Sequence, residues 1–420
     1  MLRSMYSGIG GMKNFQTKLD VIGNNIANVN TYGFKKGRVT FKDIASQTMS
    51  GASSAQNNRG GTNAKQIGLG AAVASIDTIM TNSSLQTTGR LLDLGVDGDG
   101  FFVVKNGNQQ YYSRAGNFDI DSVGNLVNSD GMKVQGYGLN AAGKIDKSTM
   151  INLTIDKNAT ILPQQTSYIK FGGNLSSLVD HTTAIVADKQ VKLDTTIRDS
   201  QGKELAVNIT YQKSGVNTWQ ASLSYKDSAG ATQTVNNFAN LVFKNDGSLD
   251  NALTTVNNVT ITPGGGVNPI TFSNTNKQLD FTALTQTSEA SSTSVKEKDG
   301  SASGSLTSFT FGQSGEITGV FSNGQVKSLG QIALATFSNP GGLLKTGGNT
   351  FQESNNSGIP NIDVPGNSRG VVQAGTLEMS NVDLSEEFTD MIVAQRGFQA
   401  NSRIITTSDQ ILEELVNLKR

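Results

Sequence analysis

Met1, Met5, Gly8, Met12, Phe15, Leu19, Ile22, Ile26 and Val29 follow one another at alternating intervals of four and three residues. A strand, whose side chains alternate every second residue, cannot use that spacing; it is the narrow seam of a coiled coil. An ordinary amphipathic helix on a globular domain shows a wider apolar face, and here the residues between seam positions are small or polar. The pattern stops in "NNIANVNTYGFKK", Asn24 to Lys36. Asparagine competes with the backbone for hydrogen bonds and Gly33 tolerates the left-handed conformation that closes a helix. Residues 1–30 are therefore expected to be one long helix, with Asn28, Asn30, Gly33 and Phe34 marking the passage from helix to arm.

The other end carries a second seam. Asp383 stands three residues before Glu386, the arrangement of a capping box. Leu384, Phe388, Met391, Phe398 and Ile405 then hold the four-three spacing, with Gln395 and Ser402 as its polar members. Ile411, Leu412, Leu415 and Leu418 widen the stripe, and Lys419 and Arg420 complement the dipole of the helix end. The simplest way to bury two such seams is against each other, which makes the chain a hairpin with its middle inserted between its ends. Two helices alone leave apolar surface over, and further copies of the chain are the evident cover. Head-to-tail contacts of that kind give rings or helical tubes. The expected assembly residues are Met5, Met12, Phe15, Leu19, Ile22, Ile26, Val29, Leu384, Phe388, Met391, Phe398, Ile405, Leu412 and Leu415.

The middle reads as β structure. Residues 31–90 are rich in Ser, Asn, Gly and Gln and form an extended arm with a short strand near Ala71 to Met80, which the chain rejoins at 360–383. From Leu91 short apolar runs alternate with Asp-Gly, Asn-Gly and Gly-Asn turns, the texture of an antiparallel sheet, over 91–163 and again over 306–359. Between them, 164–305 reads as a separate inserted all-β domain. Val207, Ile209 and Tyr211, then Trp219, Ala221, Leu223 and Tyr225, alternate with polar residues as a hairpin with one buried face, and Trp219 is expected in its core. The fold class is thus mainly β with terminal α-helices. The layout is nested: an inner helical polymerisation domain (1–30 and 384–420), an arm, an inner antiparallel β domain and an outer one.

Chemistry is sparse. The 420 residues contain no cysteine and one histidine, which removes disulfides, thiolate catalysis and most triad or zinc chemistry. His181, in "SLVDHTTA", has no nucleophile motif beside it and is expected on a solvated loop or strand edge. "DGDG" at Asp97 to Gly100 lacks the closing Glu of a calcium loop, since its twelfth position is Asn108. "PGGGVNP" (Pro263 to Pro269) lacks the Lys-Ser/Thr of a phosphate loop. No enzyme activity, cofactor or metal site is expected. With 34 basic and 34 acidic residues the chain carries no net charge, which speaks against a nucleic-acid partner. No run is long enough to span a bilayer, and "MLRSMYSGIGGMKNF" has neither the apolar core nor the cleavage site of a secretory signal.

"NNIANVNTYGFKK" together with "GTLEMSNVDLSEEFTDMIVAQRGFQANSRIITTSDQILEEL" resembles the paired terminal signatures of the bacterial flagellar rod and hook axial proteins. "DGDGFFVV", "YYSRAGNFDIDSVGNLVNSDGMKVQGY" and "GVFSNGQVKSLGQIALATFSNPGGLLKTGGNTF" resemble the hook group in particular. The resemblance covers both ends and the inner β domain; the inserted domain matches in position and texture. It implies a structural hook subunit that self-assembles into a helical tube, a flexible universal joint passing torque from rod to filament. It also implies a homopolymer that meets rod proteins, a hook cap, hook-filament junction proteins and the flagellar export apparatus. The implied location is extracellular, in the hook of the flagellum, reached by type III export without a cleaved signal. Two alternatives stay open. One is a distal rod protein, although rod proteins are generally shorter and lack a sizeable insertion. The other is an extracellular carbohydrate-binding or adhesive β protein, for which Asp97, Asp99, Asp119 and Asp121 are the acidic candidates, all in turn-like contexts.

Overall fold

The computed structural model describes residues 2–54, 60–140, 143–182, 189–275, 277–367 and 369–417, without the side chains of residues 2, 3 and 415. Met1, Leu418, Lys419 and Arg420, and the side chain of Leu415, therefore lie outside the described residues. The chain forms two compact units, one made of 1–157, 309–319 and 327–420, the other of 158–308 and 320–326.

The first unit carries both helices, α1 (Leu2–Ala27) and α2 (Leu384–Asn417). α1 stops where asparagine side chains take over the backbone's bonds: the Asn28 amide donates to the Asn24 carbonyl at 2.9 Å, and Gly33 turns to a φ of +70°. α2 starts at Asp383, whose Oδ1 accepts the Ser385 and Glu386 N–H groups at 2.8 and 3.3 Å. The reciprocal arm of a capping box is replaced, because the Glu386 carboxylate reaches Lys36 Nζ at 2.7 Å instead. The helices run antiparallel: Lys18 pairs with Asp390 at 3.2 Å and Asn25 reaches Glu387, while Gly8 and Gly11 lie against Ile405 and Asn401.

Below the helices, Gly37–Asp43 pairs with Ala71–Thr78, and the arm between them folds back as the exposed ribbon Ser46–Ser50 with Lys65–Gly68. The β body of this unit is an antiparallel sheet in which Phe101–Asn106 lies between Gln109–Ser113 and Lys133–Leu139. Phe101 to Val104 are all buried, so both faces of that strand are covered. Phe337 meets the rings of Phe101 and Tyr112 edge-on at 5.9 and 4.8 Å, closing one side of the core.

The second unit is built on a five-stranded antiparallel sheet running through Gln190–Arg198, Glu204–Gly215, Thr218–Lys226, Thr232–Val242 and Thr255–Val256. Val207 faces Tyr225, Ile209 faces Leu223 and Tyr211 faces Ala221, the buried face that the alternation predicts. Trp219 is fully buried and donates its indole N–H to Gln286 Oε1 at 3.2 Å. One part departs from a purely antiparallel domain. Ile169–Asn174 pairs in parallel with Leu279–Thr285 and antiparallel with Ser294–Lys298, since the five-stranded sheet is a crossover long enough to return the chain in the same direction. His181 sits half-buried in a bend. Among the described residues no helix is long and apolar enough to cross a membrane, and no cluster of ligating side chains could hold a metal.

Candidate assembly site

Of the N-terminal seam on α1, Gly8 and Phe15 lie against Ile405 and Gly397 of α2. Gly8 and Ile22 are buried and Met5, Met12, Phe15, Leu19, Ile26 and Val29 half-buried, the last just past the helix end. The opposing surface of α2 is not the stripe expected from its large apolar residues. Glu387, Ala394 and Ser408 are buried, and Met391, Asn401, Ile405 and Leu412 are half-buried. Leu384, Phe388 and Phe398 are instead 41%, 50% and 37% exposed. Close approach explains the rotation. A Cβ at Gly397 would stand 2.6 Å from the Phe15 ring and one at Gly11 2.8 Å from the Asn401 side chain, so the helices meet where side chains are smallest. Met391, Ile405 and Leu412 are the expected residues that take part in the helix pair; Leu384, Phe388 and Phe398 flank it.

Two exposed apolar stripes result. Leu384, Phe388 and Ile392 recur every four residues on one flank, and Val393, Ile404 and Ile411 share the opposite flank. At the base of the pair, a cavity of about 330 Å³ is lined by Lys18, Ile22, Asn25, Gly37, Glu387 and Asp390 among others. The Asn25 amide donates to both Glu387 oxygens at 3.2 Å and to the Gly37 carbonyl at 2.9 Å, while its own oxygen accepts the Gly37 N–H. Burial pushes the Glu387 carboxyl above its usual range, against the pull of the Asn25 amide and of Lys36.

Past α1 the chain enters a tightly bonded junction. Gly33 donates its N–H to the Glu378 carbonyl at 2.8 Å, and a Cβ there would stand 2.6 Å from the Ala115 nitrogen. Phe34 is buried beneath the Lys345 ammonium, which lies 5.1 Å from its ring centre and donates to the Lys35 carbonyl at 2.9 Å. Asn28 is half-buried and Asn30 exposed in the intervening turn. Lys35 Nζ reaches Glu378 Oε1 at 2.6 Å and the Thr81 carbonyl at 2.8 Å. Arg114 meets the other Glu378 oxygen at 3.3 Å and lies over the Phe101 ring at 5.1 Å. The Asn381 side chain accepts the Lys36 N–H at 2.7 Å and donates to the Ile79 carbonyl at 2.9 Å. The sequence reading missed Asn25, Lys35, Arg114, Glu378 and Glu387, the polar groups on which this geometry turns.

The acidic candidates of the turns do structural work. Asp121 Oδ1 accepts the Val123 and Asn125 N–H groups at 2.9 and 2.7 Å, and Asp119 accepts the Ile120 N–H at 2.9 Å. Hydrogen bonds, from the Asn125 side chain to Asp121 and from the Ile120 N–H to Asp119, hold both carboxyls below their usual range. A glycosidase's general acid needs the opposite shift.

Known protein families match successive parts of the chain. Residues 5–35 match the family described as flagella basal body rod protein, and 95–167 the flagellar hook protein FlgE/F/G D1 domain. Residues 174–301 match the flagellar basal body protein FlaE D2 domain, and 373–418 the flagellar basal body rod FlgEFG protein C-terminal region. These matches define a structural protein of the flagellar axis. The flagellar hook protein FlgE of Treponema pallidum is 40% identical, with 100% of both chains covered. The flagellar basal-body rod protein FlgG of Bacillus subtilis is 37% identical, again over 100% of both. The crystal structure of Helicobacter pylori flagellar hook protein FlgE2 shares the fold, with a TM-score of 0.52 at 15% identity over 70% of this chain and 100% of that one. The chain belongs to the flagellar hook protein FlgE family and is a structural subunit of the hook, placed in the flagellum and its basal body.

Proposed function

We propose that the chain polymerises with copies of itself into a helical tube, in which residues 1–30 and 384–420 form the innermost layer. Residues 31–90 and 360–383 serve as the connecting arm, 91–163 and 306–359 as the inner β domain, and 164–305 as the outer one. The observation that carries this reading is the pair of exposed apolar stripes on α2. A helix with one partner buries one face, whereas this one keeps Leu384, Phe388 and Ile392 on one side and Val393, Ile404 and Ile411 on the other. Fully burying a side chain of that size is worth about 1.5–3 kcal/mol, so completing the burial of three half-exposed ones contributes roughly 2–4 kcal/mol per flank. In this proposal Leu384, Phe388 and Phe398 meet neighbouring copies, the α1 seam with Met391, Ile405, Leu412 and Leu415 serves assembly by building the helical layer they flank, and Asn28, Asn30, Gly33 and Phe34 aim that layer from the arm.

In this reading apolar inner contacts hold the lattice while polar outer contacts slide as the tube bends in rotation, making it a flexible joint between rod and filament. Its neighbours are rod proteins, a hook cap, hook-filament junction proteins and the flagellar export apparatus. The chain acts outside the cell after export without a cleaved leader, and it catalyses nothing. Deleting 1–30 or 384–420 from the purified protein and following sedimentation of polymers tests the core of the proposal. Neither truncation should form tubes; tubes of normal length from either one would overturn it.

A further inference from the structure

Three charged side chains from three distant parts of the chain meet in a dry site: Lys35 and Glu378 are fully buried and Arg114 nearly so. Lys35 belongs to the junction after α1, Glu378 to the strand Thr376–Glu378 that leads to α2, and Arg114 to the β body. One carboxylate serves both cations and also accepts the Ser83 N–H at 3.1 Å. Asp99 contributes attraction to both cations from farther away. Burial disfavours the charge on both Lys35 and Arg114, and the Arg114 guanidinium disfavours it further on Lys35; Glu378 is the contact that offsets this. Glu378 follows Lys35 by 343 residues and Arg114 by 264. Before it is in place, closing the α1 junction onto the body would confine two like charges with only the more distant Asp99 to offset them. Gly33, which bonds the Glu378 carbonyl, and Lys36, which bonds Asn381, depend on the same late segment.

We infer that Glu378 is a latch: its carboxylate makes the docking of α1 and the docking of α2 onto the β body a single event, so that neither end closes without the other. A chain delivered N-terminus first keeps α1 undocked until Glu378 arrives, 343 residues after Lys35. The latch acts within the single chain, polymerised or not.

The test is amide hydrogen exchange on dilute full-length protein, comparing wild type, Glu378→Gln and the triple variant Lys35→Met, Arg114→Met, Glu378→Met. Glu378→Gln keeps the shape and removes the charge. Exchange should accelerate together in 31–43 and 376–390 by on the order of 100-fold or more, while 101–113 in the body keeps wild-type protection. The triple variant, with no charge left to balance, should return both segments to within about tenfold of wild type. The latch is overturned if Glu378→Gln leaves both segments protected, loosens only one, or loosens the body equally. If Glu378→Gln does not fold, the triple variant decides. Protected ends support the latch; open ends, or a triple variant that also fails to fold, overturn it.

Discussion

Phe388 offers the sharpest test of how the helix pair is used. It is 50% exposed in the single chain, on the flank of α2 away from the seam. A phenylalanine buries about 150–250 Å² when fully covered, so about 100 Å² of ring remains for a neighbour to bury. At about 25 cal/mol per Å², and allowing for what an alanine methyl would retain, Phe388→Ala removes about 2 kcal/mol from each subunit contact. That corresponds to a critical concentration for polymerisation roughly 30-fold higher, at 1.4 kcal/mol per factor of ten. The monomer should hardly notice, because exposed substitutions cost about 0.5 kcal/mol or less. Ile22→Ala is the internal contrast: at 3% exposure it should cost the monomer itself about 2–5 kcal/mol. The assay is pelleting of polymer across a concentration series, beside thermal melts of dilute protein. An unchanged critical concentration for Phe388→Ala would refute the reasoning, as would a monomer destabilised as much as by Ile22→Ala.

Two further substitutions probe the junction and the base of the helix pair. Gly33 combines a φ of +70° with a Cβ position 2.6 Å from a backbone nitrogen. Gly33→Ala should therefore cost about 2 kcal/mol or more in denaturant titrations, and Gly33→Asn, which tolerates the conformation but not the crowding, should recover only part of it; full recovery would show that crowding is irrelevant. Glu387 has a carboxyl raised above the unfolded value of about 4.5, so the folded state holds its proton more tightly and this group's contribution to stability falls as pH rises through that window. Glu387→Gln should melt at or above wild type at pH 7, with the difference shrinking toward pH 4; a difference that grows toward acid would contradict the assigned cause.

Spacing made the helices and the α1 seam legible because a long helix repeats its pattern many times, and Phe15 and Ile22 could be placed without knowing their partners. The same pattern on α2 misled in an instructive way. A search for large apolar residues finds Leu384 and Phe388, but the contact surface is set by Ala394, Gly397 and Ser408, whose value is their small size. Hydrophobicity cannot register an absence of bulk. The five-stranded sheet was readable from Val207, Ile209 and Tyr211, whereas the parallel pairing of Ile169–Asn174 was not, because alternation carries no direction. Glu378 left only a faint mark. Leu377 and Glu378 are both buried, so the two-residue period that would have sent the carboxylate to solvent is broken there, and nothing near it in sequence names Lys35 or Arg114.

The misreading of α2 and the proposed function are connected through one division of labour. Contacts within the chain set small and polar groups beside part of the apolar seam: Gly8 and Gly11 against Ile405 and Asn401, Gly397 against Phe15, Asn25 on Glu387, Lys35 and Arg114 on Glu378. Such contacts demand exact geometry and fix how the helix pair leaves the body. The large side chains, Leu384, Phe388, Ile392 and Ile404, are held back from that interface and left on its flanks. Apolar contact is non-directional and scales with area, so in the proposed polymer it would tolerate small rotations between neighbouring copies. A Phe388→Asn, Ile392→Asn chain should therefore still form its helix pair in dilute solution, and pelleting should show a critical concentration above that of Phe388→Ala; a critical concentration equal to wild type would contradict this division.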